Sequence, residues 1–296
     1  MPAFRRDDGS VTFVERGALS ASFFLPCGQC IGCRLKRSRE WAIRCVHEAS
    51  LNDVNCFLTL TYDDSKVVMW SLFYDHFQDF IKRLRARFSN VRVRFYMCGE
   101  YGDEFKRPHY HALLFGFDFL DKVPLSKSPG GSQMYRSPVL EELWPYGFSS
   151  VGAVTFESAA YVARYCTKKI TGSPSLSHYQ IVDTETGEVR FDRAPEFSHM
   201  SLKPGIGADW LARYRTDVYP AGKVVRWGGA SFNAPRYYDE LIRRFDENTD
   251  SIDNDLAEYS RYLESLKGAA HQTPERLAVR EKVAKAALGQ LKRSIS

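Results

Sequence analysis

The sequence predicts an α+β fold, an antiparallel central sheet with helices packed on it, from three observations. Several short segments alternate at strand period, and two longer ones carry apolar residues at helical spacing. Along the chain the order runs strand, helix, strand, strand, then strand and helix.

Taken in order, residues 27–50 open with clustered cysteines and continue as a helix over 34–50, where Leu35, Ala42, Ile43 and Val46 sit among good helix formers. Cys56-Phe-Leu-Thr-Leu-Thr-Tyr62 alternates, is rich in β-formers and closes at Asp63-Asp64, so it reads as a strand. Residues 71–88 set Phe73, Phe77, Phe80, Ile81 and Leu84 at helical spacing, and their basic last turn suits the helix macrodipole. Residues 92–98 and 109–115 are the next two strands, joined by the polar segment 99–108. Proline and glycine mark 119–147 as an insertion or long loop. A further strand is expected over 149–156 and a helix over 157–170, ending near Gly172. Four parts result: a Cys-rich basic segment (1–50), a core (51–172) interrupted at 119–147, a turn-rich extension (173–235) and a charged helical appendage (236–296).

Composition narrows the classes. With 296 residues, 44% hydrophobic and 14% aromatic, the chain can bury a sizeable core, which excludes disordered, collagen-like and coiled-coil classes. No run of 18 apolar residues occurs, and the first ten residues carry two arginines and two aspartates with no apolar stretch; a soluble intracellular protein is expected. The net charge of +5 lies wholly in residues 1–235, because eleven basic and eleven acidic residues cancel from Arg236 onward. Two dense runs carry it: Arg34, Lys36, Arg37, Arg39 and Arg44, then Lys82, Arg83, Arg85, Arg87, Arg92 and Arg94. Such runs suit a polyanion, and each alone reads equally as a solvated helix face.

The sharpest local signal is Arg107-Pro-His109-Tyr110-His111. Residues two apart on a strand share a face, so both imidazoles can converge on one ion at nitrogen distances near ~2.1 Å, while Tyr110 points the other way. Glu100, at the end of the preceding strand, is the natural third ligand; Asp103 and Glu104 are the fallback, because register cannot be read from one sequence. Without an ion, His109 and His111 are ordinary half-buried histidines. The second signal is Tyr161-Val-Ala-Arg164-Tyr165, followed by Lys168 and Lys169. Positions four apart on a helix project to one side, which offers two interchangeable phenols or, equally, two core aromatics. A phenol with a pKa near ~10 needs a nearby cation to attack anything at neutral pH.

Together these motifs resemble HUH endonucleases, in particular the two-tyrosine replication initiators, whose nuclease core is RRM-like. Pro26-Cys-Gly-Gln-Cys-Ile-Gly-Cys-Arg34, Phe57-Leu-Thr-Leu-Thr-Tyr62, Cys98-Gly-Glu-Tyr101, Pro204-Gly-Ile-Gly207 and Pro235-Arg-Tyr-Tyr-Asp239 are similar to the initiators of gokushovirus-type single-stranded DNA phages, the Microviridae. The resemblance spans about residues 26–239. It implies a rolling-circle initiator that nicks single-stranded origin DNA, leaves a 5′-phosphotyrosine and later religates the strand. Tyr161 and Tyr165 are then the nucleophiles. His109, His111 and Glu100 hold Mg²⁺ or Mn²⁺, and Arg164, Lys168 and Lys169 meet the DNA. No P-loop sequence occurs, so strand separation falls to a host helicase and extension to a host DNA polymerase, in the cytoplasm of the bacterial host. Two other readings stand beside it: a zinc-stabilised single-stranded DNA-binding protein without catalysis, and a zinc-dependent hydrolase, since two histidines and a carboxylate also suit zinc.

Seven cysteines remain to be placed. Cys27, Cys30 and Cys33, with Cys45 twelve residues later, read as a four-thiolate structural zinc site or as reduced thiols. An iron–sulfur pattern would want cysteine where Arg37 stands. Trp210, Tyr237 and Tyr238 suit base stacking or core burial, and His47, His76, His178, His199 and His271 have no comparable neighbours in the sequence.

Overall fold

The structure, a computed structural model, describes residues 2–5, 11–13, 19–24, 26–102, 105–128, 130–164, 169, 174–183, 185–225, 229–249, 251–268 and 273–290. Its centre is an antiparallel sheet of β1 (Asn55–Tyr62), β2 (Arg94–Tyr101), β3 (Pro108–Phe115), β4 (Val123–Lys127), β5 (Gln133–Arg136), β6 (Gly147–Gly152) and β7 (Phe197–Met200). The strands lie in the order β7-β2-β3-β1-β6-β5-β4. The helices are α1 (Ile31–Ala49), α2 (Tyr74–Arg87), α3 (Pro138–Leu143), α4 (Phe156–Arg164), α5 (Pro174–Tyr179), α6 (Ala208–Val218), α7 (Arg236–Asp246), α8 (Asp253–Lys267) and α9 (Pro274–Gln290). The α+β class with an antiparallel sheet is the one the sequence predicts.

Strand alternation sorts the central strands into two apolar layers. On one face Leu58, Leu60 and Tyr62 of β1, Phe95 and Met97 of β2 and Tyr110, Ala112 and Leu114 of β3 pack against Phe77, Phe80, Ile81 and Leu84 of α2 and Leu140 and Leu143 of α3. On the other, Phe57, Tyr96, Cys98, Leu113 and Phe115 meet Ala42 and Cys45 of α1 and Ala159, Val162 and Ala163 of α4. A third core joins Ile43 of α1 to Leu211 and Val218 of α6, Tyr238 and Ile242 of α7 and Ala257 of α8. Part of the charged C-terminal segment therefore packs on the body of the protein, whereas α9 buries no side chain among the described residues.

Several elements differ from the sequence expectation for identifiable reasons. Helix α2 starts at Tyr74 rather than residue 71, because the Phe73 backbone is tied to the sheet: its N–H donates to the Tyr110 hydroxyl at 3.0 Å and its carbonyl accepts from that hydroxyl at 2.8 Å. Strand β2 runs on to Tyr101, which brings Glu100 into the ladder. Along this extension Gly99 lies close under β7, a strand from the segment read as turn-rich: a Cβ there would stand 3.1 Å from the Phe197 ring. Strand β6 ends at Gly152, and α4 starts at Phe156 behind a reciprocal cap in which the Thr155 and Ser158 hydroxyls accept from each other's backbone N–H. The 119–147 segment, expected as an insertion or loop, supplies the β4–β5 hairpin and α3, which is capped by Ser137 accepting from the Leu140 N–H.

Part of the second basic run is tied into the fold, while Lys82, Arg85, Arg87 and Arg92 remain exposed. Arg83 and Arg85 donate to the carbonyls of Leu143 and Val93, Arg87 pairs with Glu142, and buried Arg94 pairs with Glu48 at 2.5 Å.

Candidate active site

β2 and β3 pair so that Glu100 stands opposite His109 and Cys98 opposite His111. On the other side of β3, Thr61 of β1 faces His109 and Thr59 faces His111. Alternation puts all these side chains on the face that α1 and α4 cover. Tyr110, between the histidines, points into the opposite layer, where burial pushes its phenol up to about 12 and its hydroxyl bonds that of Tyr62.

Two imidazoles converge on one carboxylate oxygen. Oε1 of Glu100 lies 2.8 Å from Nε2 of His109 and 3.1 Å from Nε2 of His111, and one ligand atom from each residue falls within 4.8 Å of the others. The two imidazole planes stand at 85°. Burial alone pushes the Glu100 carboxyl up, but the hydrogen bonds from His109 and His111 and the charges behind them outweigh it and hold the group at about 2.

The donor set fits a cation. Nδ1 of His109 lies 3.0 Å from the Arg107 carbonyl, which can only accept, so this nitrogen carries the proton. In a neutral ring Nε2 is then a lone pair facing an ionised oxygen 2.8 Å away. Either a second proton or a metal ion must stand between them, and two imidazole nitrogens with one carboxylate form a familiar ligand set with open positions. Nδ1 of His111 is 3.1 Å from the Thr59 hydroxyl, an outer partner of the kind that fixes ring orientation. Side-chain exposure is 16% for His109, 1% for His111 and 2% for Glu100, so the group opens on the His109 side.

Helix α4 brings Tyr161 to the same place. Its ring meets His111 edge to face with centroids 5.0 Å apart, and it is 4% exposed. The guanidinium carbon of Arg164, the last residue of α4, is 5.9 Å from the Tyr161 ring centre, and Lys169 is exposed. Tyr165, Lys168, Asp103, Glu104 and His271 lie outside the described residues. Beyond Thr59 and Thr61 a groove of about 180 Å³ continues across β6, lined also by Leu125, Ser126, Ser150 and the exposed ring of Phe148. Thr59, Phe148 and the Arg107 carbonyl are missing from the sequence-based site. Only the alternation of Phe57-Leu-Thr-Leu-Thr-Tyr62 hinted at the threonines, and β1–β3 register was needed to use it.

The cysteines divide. Cys27, Cys30 and Cys33 gather at the start of α1 with sulfurs within 4.8 Å of one another. Cys45 does not join them: it lies three turns along α1, roughly 18 Å by helical rise, and is fully buried in the core shared with α4. The aromatic trio is packing. Tyr238 is fully buried and its hydroxyl bonds Nδ1 of His47 at 2.9 Å, Trp210 stacks on His47 at 3.5 Å, and Tyr237 covers the Arg44 guanidinium. His76 bonds the Tyr62 hydroxyl and His199 stacks on Tyr74.

A family model described as "Replication-associated protein ORF2/G2P" matches residues 55–170, the span that holds Glu100, both histidines and both tyrosines. Replication-associated protein VP4 of Bdellovibrio phage phiMH2K is 38% identical over 231 residues, covering 76% of this chain and 69% of that protein. Replication-associated protein ORF2 of Spiroplasma virus 4 is 32% identical, covering 74% and 68%. For replication-associated protein ORF4 of Chlamydia phage 1 the figures are 30% identity, 79% and 57%. No solved structure matches. With a histidine pair closed by a glutamate, a tyrosine helix beside it and this extent of shared sequence, the chain belongs to the family of phage replication-associated proteins.

Proposed function

We propose that the chain initiates rolling-circle replication of a small single-stranded DNA phage genome by cutting origin DNA with a tyrosine, in the manner of HUH endonucleases. The observation that carries this reading is the meeting of Glu100, His109 and His111 at one point with Tyr161 against His111. The phenol oxygen of Tyr161 or Tyr165 attacks the scissile phosphorus, the bond to the 3′ oxygen breaks, the phenol gives up its proton and the 3′ oxygen takes one up. The strand is left with a 5′-phosphotyrosine and a 3′-hydroxyl for a host polymerase to extend, behind a host helicase. The second tyrosine cuts the regenerated origin, and attack of the freed 3′-hydroxyl on the first phosphotyrosine closes the circle. No ATP is consumed, since the link retains the phosphodiester energy.

A divalent ion held by His109, His111 and Glu100, Mg²⁺ or Mn²⁺, would supply Lewis-acid polarisation of a phosphate oxygen. The chain's own groups do the rest. Thr59 and the Arg107 carbonyl orient the two imidazoles, α4 positions Tyr161, and Arg164, Lys168 and Lys169 neutralise flanking phosphates. Among the described residues no helix is long and apolar enough to cross a membrane. As part of the same proposal, the reaction runs in the cytoplasm of the bacterial host.

The test is an SDS-resistant adduct between the protein and a labelled origin oligonucleotide. It should form with Mn²⁺, vanish with chelator, survive Tyr161→Phe or Tyr165→Phe singly and disappear in the double variant. Tight binding with no adduct from the unaltered chain would instead mark a binding module, and continued cutting by the double variant would make another group the nucleophile.

A further inference from the structure

The Cys27, Cys30 and Cys33 cluster takes no part in that reaction, yet its geometry is specific. Cys27 leads into a turn through Gly28, whose φ of +73° favours glycine; Cys30 is the N-cap of α1, and Cys33 lies in its first turn. The Cys27 and Cys33 sulfurs are 4.0 Å apart, and all three lie within 4.8 Å of one another. A tetrahedral ion with zinc–sulfur bonds of about 2.3 Å sets sulfurs roughly 3.8 Å apart, whereas a disulfide requires about 2.05 Å. The Cys30 backbone N–H already donates to the Cys27 sulfur at 3.2 Å, an outer contact that would support a ligating thiolate. Helix α1 has neither a side-chain cap nor an acidic residue in its first turn, so its positive end meets the sulfurs without competition.

We propose that Cys27, Cys30 and Cys33 bind one thiophilic divalent ion of the Zn²⁺ class through three thiolates, leaving the fourth position to a ligand other than Cys45. The site is separate from the Glu100 group in place and in chemistry, since soft sulfur donors select such an ion over Mg²⁺ or Mn²⁺. Its effect is structural. The ion ties the turn at residues 26–30 to the first turn of α1, the helix whose Ala42 and Cys45 pack against Ala159, Val162 and Ala163 of α4 and so back the helix that carries Tyr161. The proposal does not rest on nicking, because thiolate binding can be measured in a chain that cuts no DNA.

The experiment uses the full chain purified under reducing conditions. Elemental analysis should find one zinc per chain that stays after dialysis against a chelator able to strip Mn²⁺. Replacement by Co²⁺ should produce a thiolate-to-cobalt charge-transfer band, and zinc should shield Cys27, Cys30 and Cys33 from alkylation. Cys30→Ser should weaken zinc binding at least 100-fold, whereas Cys45→Ala and Glu100→Gln should leave the stoichiometry at one. The proposal fails if the unaltered chain holds no zinc and its three thiols alkylate equally with and without added Zn²⁺. It fails also if the cobalt form lacks the thiolate band, or if the reduced preparation carries a disulfide within the cluster.

Discussion

The ring of Tyr161 meets that of His111 edge to face, with centroids 5.0 Å apart and planes at 82°. On its other contacts His111 stacks against Phe57 and faces the Thr59 hydroxyl through Nδ1. A histidine proposed as an ion ligand thus also touches the ring of the proposed nucleophile Tyr161. Loss of its ring is expected to disturb both at once, while loss of its outer partner should touch only the ion.

That difference is measurable. Thr59→Val keeps the shape and strand preference of a buried β-branched residue and removes the hydroxyl, so Mn²⁺ should bind about 10–100-fold more weakly, with adduct yield recovering at high Mn²⁺. His111→Ala should not recover at any Mn²⁺ concentration. A metal titration of adduct formation on both variants decides, and recovery of His111→Ala would separate the tyrosine's placement from this ring.

Glu100→Gln tests the carboxylate alone. An amide of nearly the same size leaves the strand pairing intact but removes the charge that would draw the proposed cation between the histidines. Ion affinity is expected to drop by at least ~100-fold, about 2.7 kcal/mol. Calorimetric titration with Mn²⁺ measures this directly, and an unchanged affinity would move the ion elsewhere.

Phe148 is 61% exposed at the edge of the groove that runs on from Thr59 and Thr61. An exposed ring beside the proposed strand-cleaving site is suited to stack on a base, worth about 1–3 kcal/mol. Phe148→Ala should weaken oligonucleotide binding roughly 5–150-fold and change folding stability by no more than about 0.5 kcal/mol. Fluorescence anisotropy alongside urea unfolding distinguishes the two effects.

A pH dependence of stability follows from His47, which burial lowers from 6.5 to about 4 between Trp210 and Tyr238. Between those values the unfolded chain binds more protons than the folded one. Stability contributed by this group is therefore complete above about pH 6.5, declines as pH falls through the window and levels off near pH 4, a loss of up to about 3 kcal/mol. His47→Gln, which keeps a partner for the Tyr238 hydroxyl, should flatten that decline in urea unfolding at pH 7 and pH 5. An equal decline in both chains would assign it to other groups.

Much of this site could be read from residue spacing. His109 and His111 share a face with Tyr110 reversed because strand side chains alternate, and this holds whatever the neighbouring strands do. Glu100 was legible only as a candidate, since its place opposite His109 depends on β2 running past residue 98, where Gly99 pairs with Phe197 of a strand about a hundred residues away. Cys45 shows the opposite error. A spacing of twelve looks close in sequence, but a helix carries those residues three turns away and turns the sulfur into the core.

Local chemistry in the sequence determined which side chains point together: the histidine pair and the apolar stripes of α2 and α4, each set by the period of its own strand or helix, and the cysteine triplet, set by the turn at Gly28 that leads into α1. The tertiary structure alone decided which of these sets meet. Strand register brought Glu100 and Thr59 to the histidines, helix packing set Tyr161 against His111, and folding brought Arg83, Arg85 and Arg94 to the Leu143 and Val93 carbonyls and the Glu48 carboxylate. The reason is physical. Periodicity acts within a few residues, whereas register and packing are settled by apolar and polar contacts between segments far apart in the chain.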